Sequence, residues 1–253
     1  MSIDYAKEGR IAVVTLNRPE RLNAITPEMF QQLNEIWSDF RDDEDLWVAI
    51  VTGAGDRAFC TGRDLVQAAS EADGRVGRAA FAVTPDRIWK PVIAAVNGHC
   101  LAAGFALALQ CDLRIAAEHA TFGSMGVMRG LLAGGGQTQR LARYVPFAKA
   151  MELMLFGDPI DAREAHRIGL VNAVVPADQV MPTARAWAER LCERGPLAVR
   201  ATKQALMEGG LNCLFDDGMR LENRLHAQVE RSEDAREGVR AFAEKRKPVF
   251  RGR

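Results

Sequence analysis

The sequence is poor in residues that staple or anchor a chain from outside its own core. Its five cysteines, Cys60, Cys100, Cys111, Cys192 and Cys213, are scattered, odd in number and without a C-x-x-C pair, which argues against a disulfide framework and a zinc ribbon. They read as thiols of a reducing, cytoplasmic setting. The histidines His99, His119, His166 and His226 form no H-E-x-x-H pair, so no metal site is expected. No apolar run reaches the length of a bilayer span, and the first residues lack a basic stretch followed by an apolar core. Both absences point away from membrane insertion and secretion. Net charge is missing too: 33 basic residues match 33 acidic ones, leaving no overall positive field for nucleic acid or anionic lipid. An anionic ligand must be met by local charge.

What is present is apolar material in ordered portions. A chain of 253 residues with 48% apolar composition has enough for a substantial core. The β-branched run 11–16, closed by Asn17-Arg18-Pro19, and the run 46–52, closed by Gly53-Ala54-Gly55, predict buried strands. Between them Thr26-Pro27-Glu28 has the form of a helix start, and Met29, Leu33, Ile36, Trp37 and Phe40 follow at helical spacing. Residues 65–87, polar and broken by Gly74 and Gly77, predict a helix-loop region that covers a site. A third strand over 91–96, a helix over 105–109 and a fourth strand over 113–116 complete a repeated strand, turn and helix order, which favours an α/β fold. Later segments predict a capped helix at 161–169, a strand at 171–175, a helix at 182–194 ended by Gly195-Pro196, and helical stretches at 197–208 and 215–242. That tail has more apolar stripe than one small cover needs, so partner subunits are its natural destination.

Two glycine-bearing turns stand out. One is Ala58-Phe59-Cys60-Thr61-Gly62-Arg63-Asp64-Leu65, and the other runs from Asn97-Gly98-His99-Cys100 through Leu101-Ala102-Ala103-Gly104. Small residues let backbone approach a ligand closely. The second turn enters a helix, whose first N–H groups and positive dipole end then face the ligand. Two such amides aimed at one oxygen would stabilise an oxyanion, each contributing roughly 3 to 4 kcal/mol. Read from glycines alone, ordinary strand-to-helix turns remain the competing account. Gly53-Ala54-Gly55-Asp56-Arg57-Ala58 imitates a dinucleotide fingerprint, but Phe59-Cys60-Thr61-Gly62 opens no helix. Gly134-Gly135-Gly136 lacks the Gly-Lys-Ser/Thr of a phosphate loop.

Seven pieces in order resemble the crotonase (enoyl-CoA hydratase/isomerase) family over nearly the whole chain: Leu22-Asn23-Ala24, the turn Ala58 to Leu65, Lys90 through Asn97-Gly98, Cys111-Asp112, Gly134 through Gln137-Thr138-Gln139-Arg140-Leu141, Ala165 through Gly169-Leu170-Val171, and Ala241 through Lys245-Arg246. The resemblance implies an α/β spiral of repeated β-β-α units over residues 1–195, and a C-terminal helical trimerisation region over 196–253. It implies an acyl-CoA substrate, with coenzyme A as part of the thioester and no prosthetic group. It places oxyanion amides at Arg63 and Ala103, and coenzyme A along Arg21, Leu22, Ala24, Ala58, Thr61 and Gly62. Arg21 is a candidate phosphate partner through its paired N–H donors. Phe242 and Lys245 would complete a neighbour's pocket in a homotrimer or a dimer of trimers.

The resemblance breaks where acid–base chemistry would sit. The two glutamates of similar hydratases fall on Ala106 and Gly126, and the acidic position of some isomerase and dehalogenase relatives falls near Ala133 to Gly135. Such groups contribute about 10² to 10⁴-fold apiece. His99, Cys100, Ser124, Arg129 and Gln137 border the expected pocket. His99 is the candidate substitute because imidazole titrates near neutrality, although packing behind the turn is its plainer reading. Cys60 and Cys100 read as buried fillers, Asp64 as a helix cap and Asp112 as structural. The competing readings are a hydratase/isomerase-like enzyme on an enoyl-CoA, a non-catalytic acyl-CoA-binding or regulatory protein, and a hydrolase. For the last, Ser124 with His99 or His119 has no triad spacing.

Overall fold

The computed structural model describes residues 2–65, 84–210 and 214–253. The chain opens with strands β1 (Ile3–Glu8) and β2 (Ile11–Leu16), then helix α1 (Pro27–Asp42). The pairs β3 (Val48–Gly53) and β4 (Ala58–Cys60), and β5 (Val92–Val96) and β6 (His99–Leu101), follow before helix α2 (Ala103–Gln110). Next come β7 (Leu113–Ala117), β8 (Thr121–Gly123), α3 (Gln137–Tyr144), α4 (Phe147–Phe156), β9 (Ile160–Asp161), α5 (Ala162–Arg167) and β10 (Ala173–Val175). Helices α6 (Val180–Cys192), α7 (Pro196–Gln204), α8 (Phe215–Glu230) and α9 (Glu233–Ala243) finish the chain.

Each turn of the spiral gives one strand to each of two sheets. The first sheet has the order β1-β2-β3-β5-β7-β10 and the second β4-β6-β8-β9. From β2 onward the first sheet is parallel, as are β4, β6 and β8. Strands β3 and β5 are buried at every position, so their apolar runs show no alternation, as suits parallel strands covered on both faces. Helix α6 packs on β3 and β5, and helix α1 lies against β1 with Met29, Leu33, Trp37 and Phe40 wholly buried. Its start is fixed by Pro27 and by Thr26, whose hydroxyl accepts the Met29 N–H at 3.3 Å.

The strands expected at 11–16, 46–52, 91–96 and 113–116 are present within about two residues of those limits. The helix expected at 182–194 starts earlier, at Val180. The continuous helix expected at 215–242 is two helices, because Ser232 starts a new one by accepting the Ala235 N–H at 3.0 Å. Most of the covering region expected at 65–87 lies outside the described residues. The boundary expected at 195 falls between α6 and α7. Helix α7 is tied back to the sheet: buried Lys203 donates to Asp112 at 2.7 Å and to the carbonyls of Pro85 and Lys90 at 2.9 and 3.1 Å. Asp112 also accepts the Val92 N–H at 2.7 Å, which makes it a structural joint. Among the described residues no helix is long and apolar enough to cross a membrane.

Candidate active site

The site begins with the loop before α1. Leu22 and Asn23 both take left-handed backbone, at φ 52° and 55°, a conformation asparagine tolerates better than leucine. Asn23 is fully buried and makes that shape worthwhile. Its carbonyl accepts the Arg18 N–H at 2.9 Å, and its amide donates to the carbonyls of Ala54 and Ala58 at 3.0 and 2.7 Å. The Thr61 N–H reaches the Leu22 carbonyl at 3.2 Å, and the Ile25 N–H reaches Gly62 at 2.7 Å. Leu22, Ala24, Ala58, Thr61 and Gly62, five of the six positions expected along coenzyme A, are thus knitted together, with exposed Arg21 beside them. Asp64, expected as a helix cap, accepts a hydrogen bond from Arg18 at 3.1 Å. Leu65, which follows it, is helical, and the rest of the expected helix falls outside the described residues.

The two glycine turns meet. Gly62 sits at φ 110°, and a Cβ there would stand 2.8 Å from the Ala102 Cβ and 3.3 Å from the Ala103 nitrogen. A Cβ at Gly104 would overlap the Cys60 carbonyl, so the first turn of α2 lies directly on the end of β4. Ala102, just before that helix, holds φ 49° and ψ −115°, strain worth roughly 1 to 3 kcal/mol for an L residue. Its N–H is secured to the Gly123 carbonyl at 2.9 Å. The Ala103 amide is at the first position of the helix, where N–H groups lack an intrahelical acceptor. Ile25 bonds the residues on either side of Arg63, accepting from Asp64 and donating to Gly62. The Arg63 amide is therefore directed away from Ile25, as a parallel bridge requires.

Arg63 and Ala103 line one cavity of about 800 Å³, and so do Ala106 and Gly126. Ala103, Ala106 and Gln110 form the α2 face of this space, and Phe30, Leu101, Met125, Leu131 and Leu132 supply apolar wall. The loop at Gly135, with φ 65°, lies so close to Ala106 that a Cβ on it would stand 2.8 Å from the alanine methyl. Among the described residues lining the cavity there is no aspartate, glutamate, histidine, cysteine, lysine or tyrosine. Its polar side chains are arginines Arg63, Arg129 and Arg140, glutamines Gln110 and Gln137, and threonines Thr61 and Thr84.

The candidates for a substitute acid or base fare differently. His99 is exposed, does not line the cavity, and pairs its Nδ1 with the Thr121 hydroxyl at 2.8 Å. Burial pushes the Cys60 thiol up to about 12 and raises Cys100 well above the usual thiol range, so both behave as apolar fillers. Ser124 is buried with no hydrogen-bond partner for its hydroxyl, and His119 pairs with the Asp56 carbonyl at 2.9 Å. No serine–histidine pair forms from these residues, which removes the basis for the hydrolase reading. Phe242 and Lys245, at the end of α9, are exposed and do not line this chain's own cavity.

Sequence reading missed Gln110 and the pair Asp86–Arg140. The Gln110 amide donates weakly to the Gly135 carbonyl at 3.4 Å, and that of Gln137 to Gly134 at 2.9 Å. The Oε1 atoms of both glutamines are buried without a partner. Buried polar atoms left in this way mark places where water or a ligand group belongs. Gln110 could have been found as the polar residue one turn after Ala106 in an otherwise apolar helix.

A spiral that gives each turn's strands to two sheets, with two main-chain turns opening on one apolar cavity, is a crotonase-type fold. A crystal structure of enoyl-CoA hydratase from Bacillus anthracis superposes with a TM-score of 0.95 at 33% identity, covering 100% of both chains. The family model described as enoyl-CoA hydratase/isomerase matches residues 6–253. The chain belongs to the enoyl-CoA hydratase/isomerase family. Among curated relatives it is 40% identical to (E)-benzylidenesuccinyl-CoA hydratase of Thauera aromatica, covering 100% of both chains. It is 37% identical to short-chain-enoyl-CoA hydratase of Clostridium acetobutylicum, covering 95% of this chain and 94% of that one.

Proposed function

We propose that this protein is an enoyl-CoA hydratase/isomerase-like enzyme that holds an acyl-CoA thioester with its carbonyl oxygen between the amides of Arg63 and Ala103. The observation that carries this reading is the contact of Gly62 with Ala102 and Ala103, which brings two turns distant in sequence to one cavity. Charge developing on that oxygen meets two donors and the start of α2, in a space walled largely by apolar groups. Coenzyme A lies along Leu22, Ala24, Ala58, Thr61 and Gly62, with Arg21 near its phosphates. Phe242 and Lys245 of a neighbouring copy close the pocket in a homotrimer or a dimer of trimers. Coenzyme A enters as part of the substrate.

Ala106 and Gly126 supply no proton. The absence of an acid or base among the described lining residues favours a second reading, in which the pocket binds acyl-CoA without turning it over. One pair of measurements tests both. A thioester labelled with ¹³C at its carbonyl and bound to the protein gives an infrared carbonyl band at lower frequency than in water if two amides polarise it. An unshifted band removes the oxyanion assignment. Turnover of an enoyl-CoA panel then separates enzyme from binder: a shifted band with measurable hydration or isomerisation establishes the first, and a shifted band with no reaction the second.

A further inference from the structure

We infer that the acyl group taken by this site carries a carboxylate of its own, received by Arg129. The inference rests on the acyl-CoA reading and narrows its substrate class. The chain as a whole is electrically balanced, with 33 basic and 33 acidic residues. The described lining of the cavity is not, since it holds Arg63, Arg129 and Arg140 and no acidic side chain. Arg140 is offset by Asp86, so the charge the cavity offers a ligand rests on Arg129, and charge of one sign in a cleft concentrates the opposite sign in a ligand.

The arginines differ in what they already do. Arg140 is committed: its Nε and Nη2 reach the Asp86 carboxylate at 2.9 and 2.5 Å, and its Nη1 reaches the Gly135 carbonyl at 2.7 Å. Arg63 belongs to the turn at the thioester end. Arg129 donates to the Met125 carbonyl at 3.3 Å and forms no ion pair with a described residue. It is held in place through its backbone, whose N–H bonds the Gly126 carbonyl at 2.9 Å. It therefore stands beside the position that resemblance assigns to a glutamate.

Its location selects the acyl end of the ligand. Of the positions expected along coenzyme A in this chain, Thr61 lines this cavity and Arg21, Leu22, Ala24, Ala58 and Gly62 do not, whereas Arg129 lines it together with Met125 and Leu131. An alkyl chain filling the space would offer the guanidinium no acceptor. Arg129 is exposed, which leaves its guanidinium open to a ligand, and a carboxylate meets that planar fork with two parallel hydrogen bonds. The phosphates of coenzyme A are the other possible source of an anion, and the test separates the two.

Calorimetry on the full chain compares two enoyl-CoA thioesters of equal chain length, one ending in a carboxylate and one in a methyl group. The same two acyl groups are also offered on N-acetylcysteamine, which has no phosphate. The carboxylate thioester should bind about tenfold more tightly on either carrier, the size of one charge-assisted bond. In Arg129→Gln that ratio should fall to about one, with unchanged thermal unfolding showing that the fold is intact. Equal affinities in the unaltered protein, or a ratio that survives Arg129→Gln, would overturn the inference. So would a variant that loses affinity for free coenzyme A while the ratio stays, because Arg129 would then serve phosphate. If neither CoA thioester binds, the acyl-CoA reading itself fails, an outcome distinct from equal binding.

Discussion

Helices α1 and α8 are each 16 residues long, yet they are finished in different ways. Helix α1 buries Met29, Phe30, Leu33, Trp37 and Phe40 against its own sheet, and Trp37 and Phe40 meet edge to face with centroids 6.4 Å apart. Helix α8 buries only Leu225. Around it Leu214, Phe215, Val239 and Phe242 are between 74% and 87% exposed. The apolar face of α1 is finished within the fold, whereas the apolar side chains around α8 are left exposed among the described residues, as are Leu132, Phe147 and Phe156 of the spiral. Patches of this kind mark interaction surfaces, and the proposed assembly would cover the one around α8, whereas the buried face of α1 needs no such cover.

The largest break in this comparison should come from Phe40→Ala. Phe40 is fully buried between α1 and the sheet, and removing a buried phenylalanine costs about 3 to 5 kcal/mol through lost transfer energy and the cavity left behind. Urea unfolding should show that loss as a lower midpoint with the same slope. A loss below about 1 kcal/mol would mean that the α1 core can collapse around the space.

A smaller effect should come from the other end of α1. Buried Lys90 donates to the carbonyls of Phe40 and Asp43 at 2.7 and 2.5 Å and lies 5.2 Å from the centre of the Phe40 ring. It satisfies carbonyls that a helix end leaves without partners. Burial, helped by the charge of Arg200, moves the Lys90 pKa from 10.5 down to about 8. Because the folded value is the lower one, the unfolded chain binds the extra proton between those two values. Stability therefore gains from deprotonation as pH rises from about 8 toward the ordinary lysine range. Lys90→Met should lower stability by roughly 1 to 3 kcal/mol by leaving carbonyls unpaired. It should also flatten the pH dependence in that window, which unfolding at several alkaline pH values would reveal. An equal slope in both proteins would show that other groups set it.

How much of this was legible beforehand follows from length and locality. The start of α1 was readable because Thr26-Pro27 and five apolar residues at helical spacing lie within one stretch. The fully buried strands were readable as unbroken apolar runs. Strands β4, β6 and β8 have three residues each, too few to carry a pattern. They are strands because parallel neighbours pair with them. Ser232 followed by Glu233 and Asp234 was a readable helix start, hidden by apolar spacing that continues through it. At the site, the glycine turns were visible, and Ala106 and Gly126, singled out in the sequence, both line the cavity. His99 lies two residues from the cavity-lining Leu101 in β6, so alternation alone would not have placed that histidine outside the cavity. Asp86 and Arg140 are 54 residues apart, and nothing local announces their pairing.

The smallest effect on a protomer, and the sharpest test of the comparison, should come from Phe242→Ser. Phe242 is 87% exposed on α9, so its removal should leave the intrinsic stability of one chain within about 0.5 kcal/mol, as for surface positions generally. If the tail is covered by another copy, the same change removes a large apolar group from that interface. The unaltered protein should then unfold at a temperature that rises with protein concentration, and the variant should lose that dependence while sedimenting as a smaller species. Because the proposed pocket is closed by a neighbour's Phe242, acyl-CoA affinity should fall together with the assembled mass. A variant that sediments and binds acyl-CoA like the unaltered protein would show that Phe242 is dispensable to both. The uncovered face of α8 and α9 would then need a different occupant.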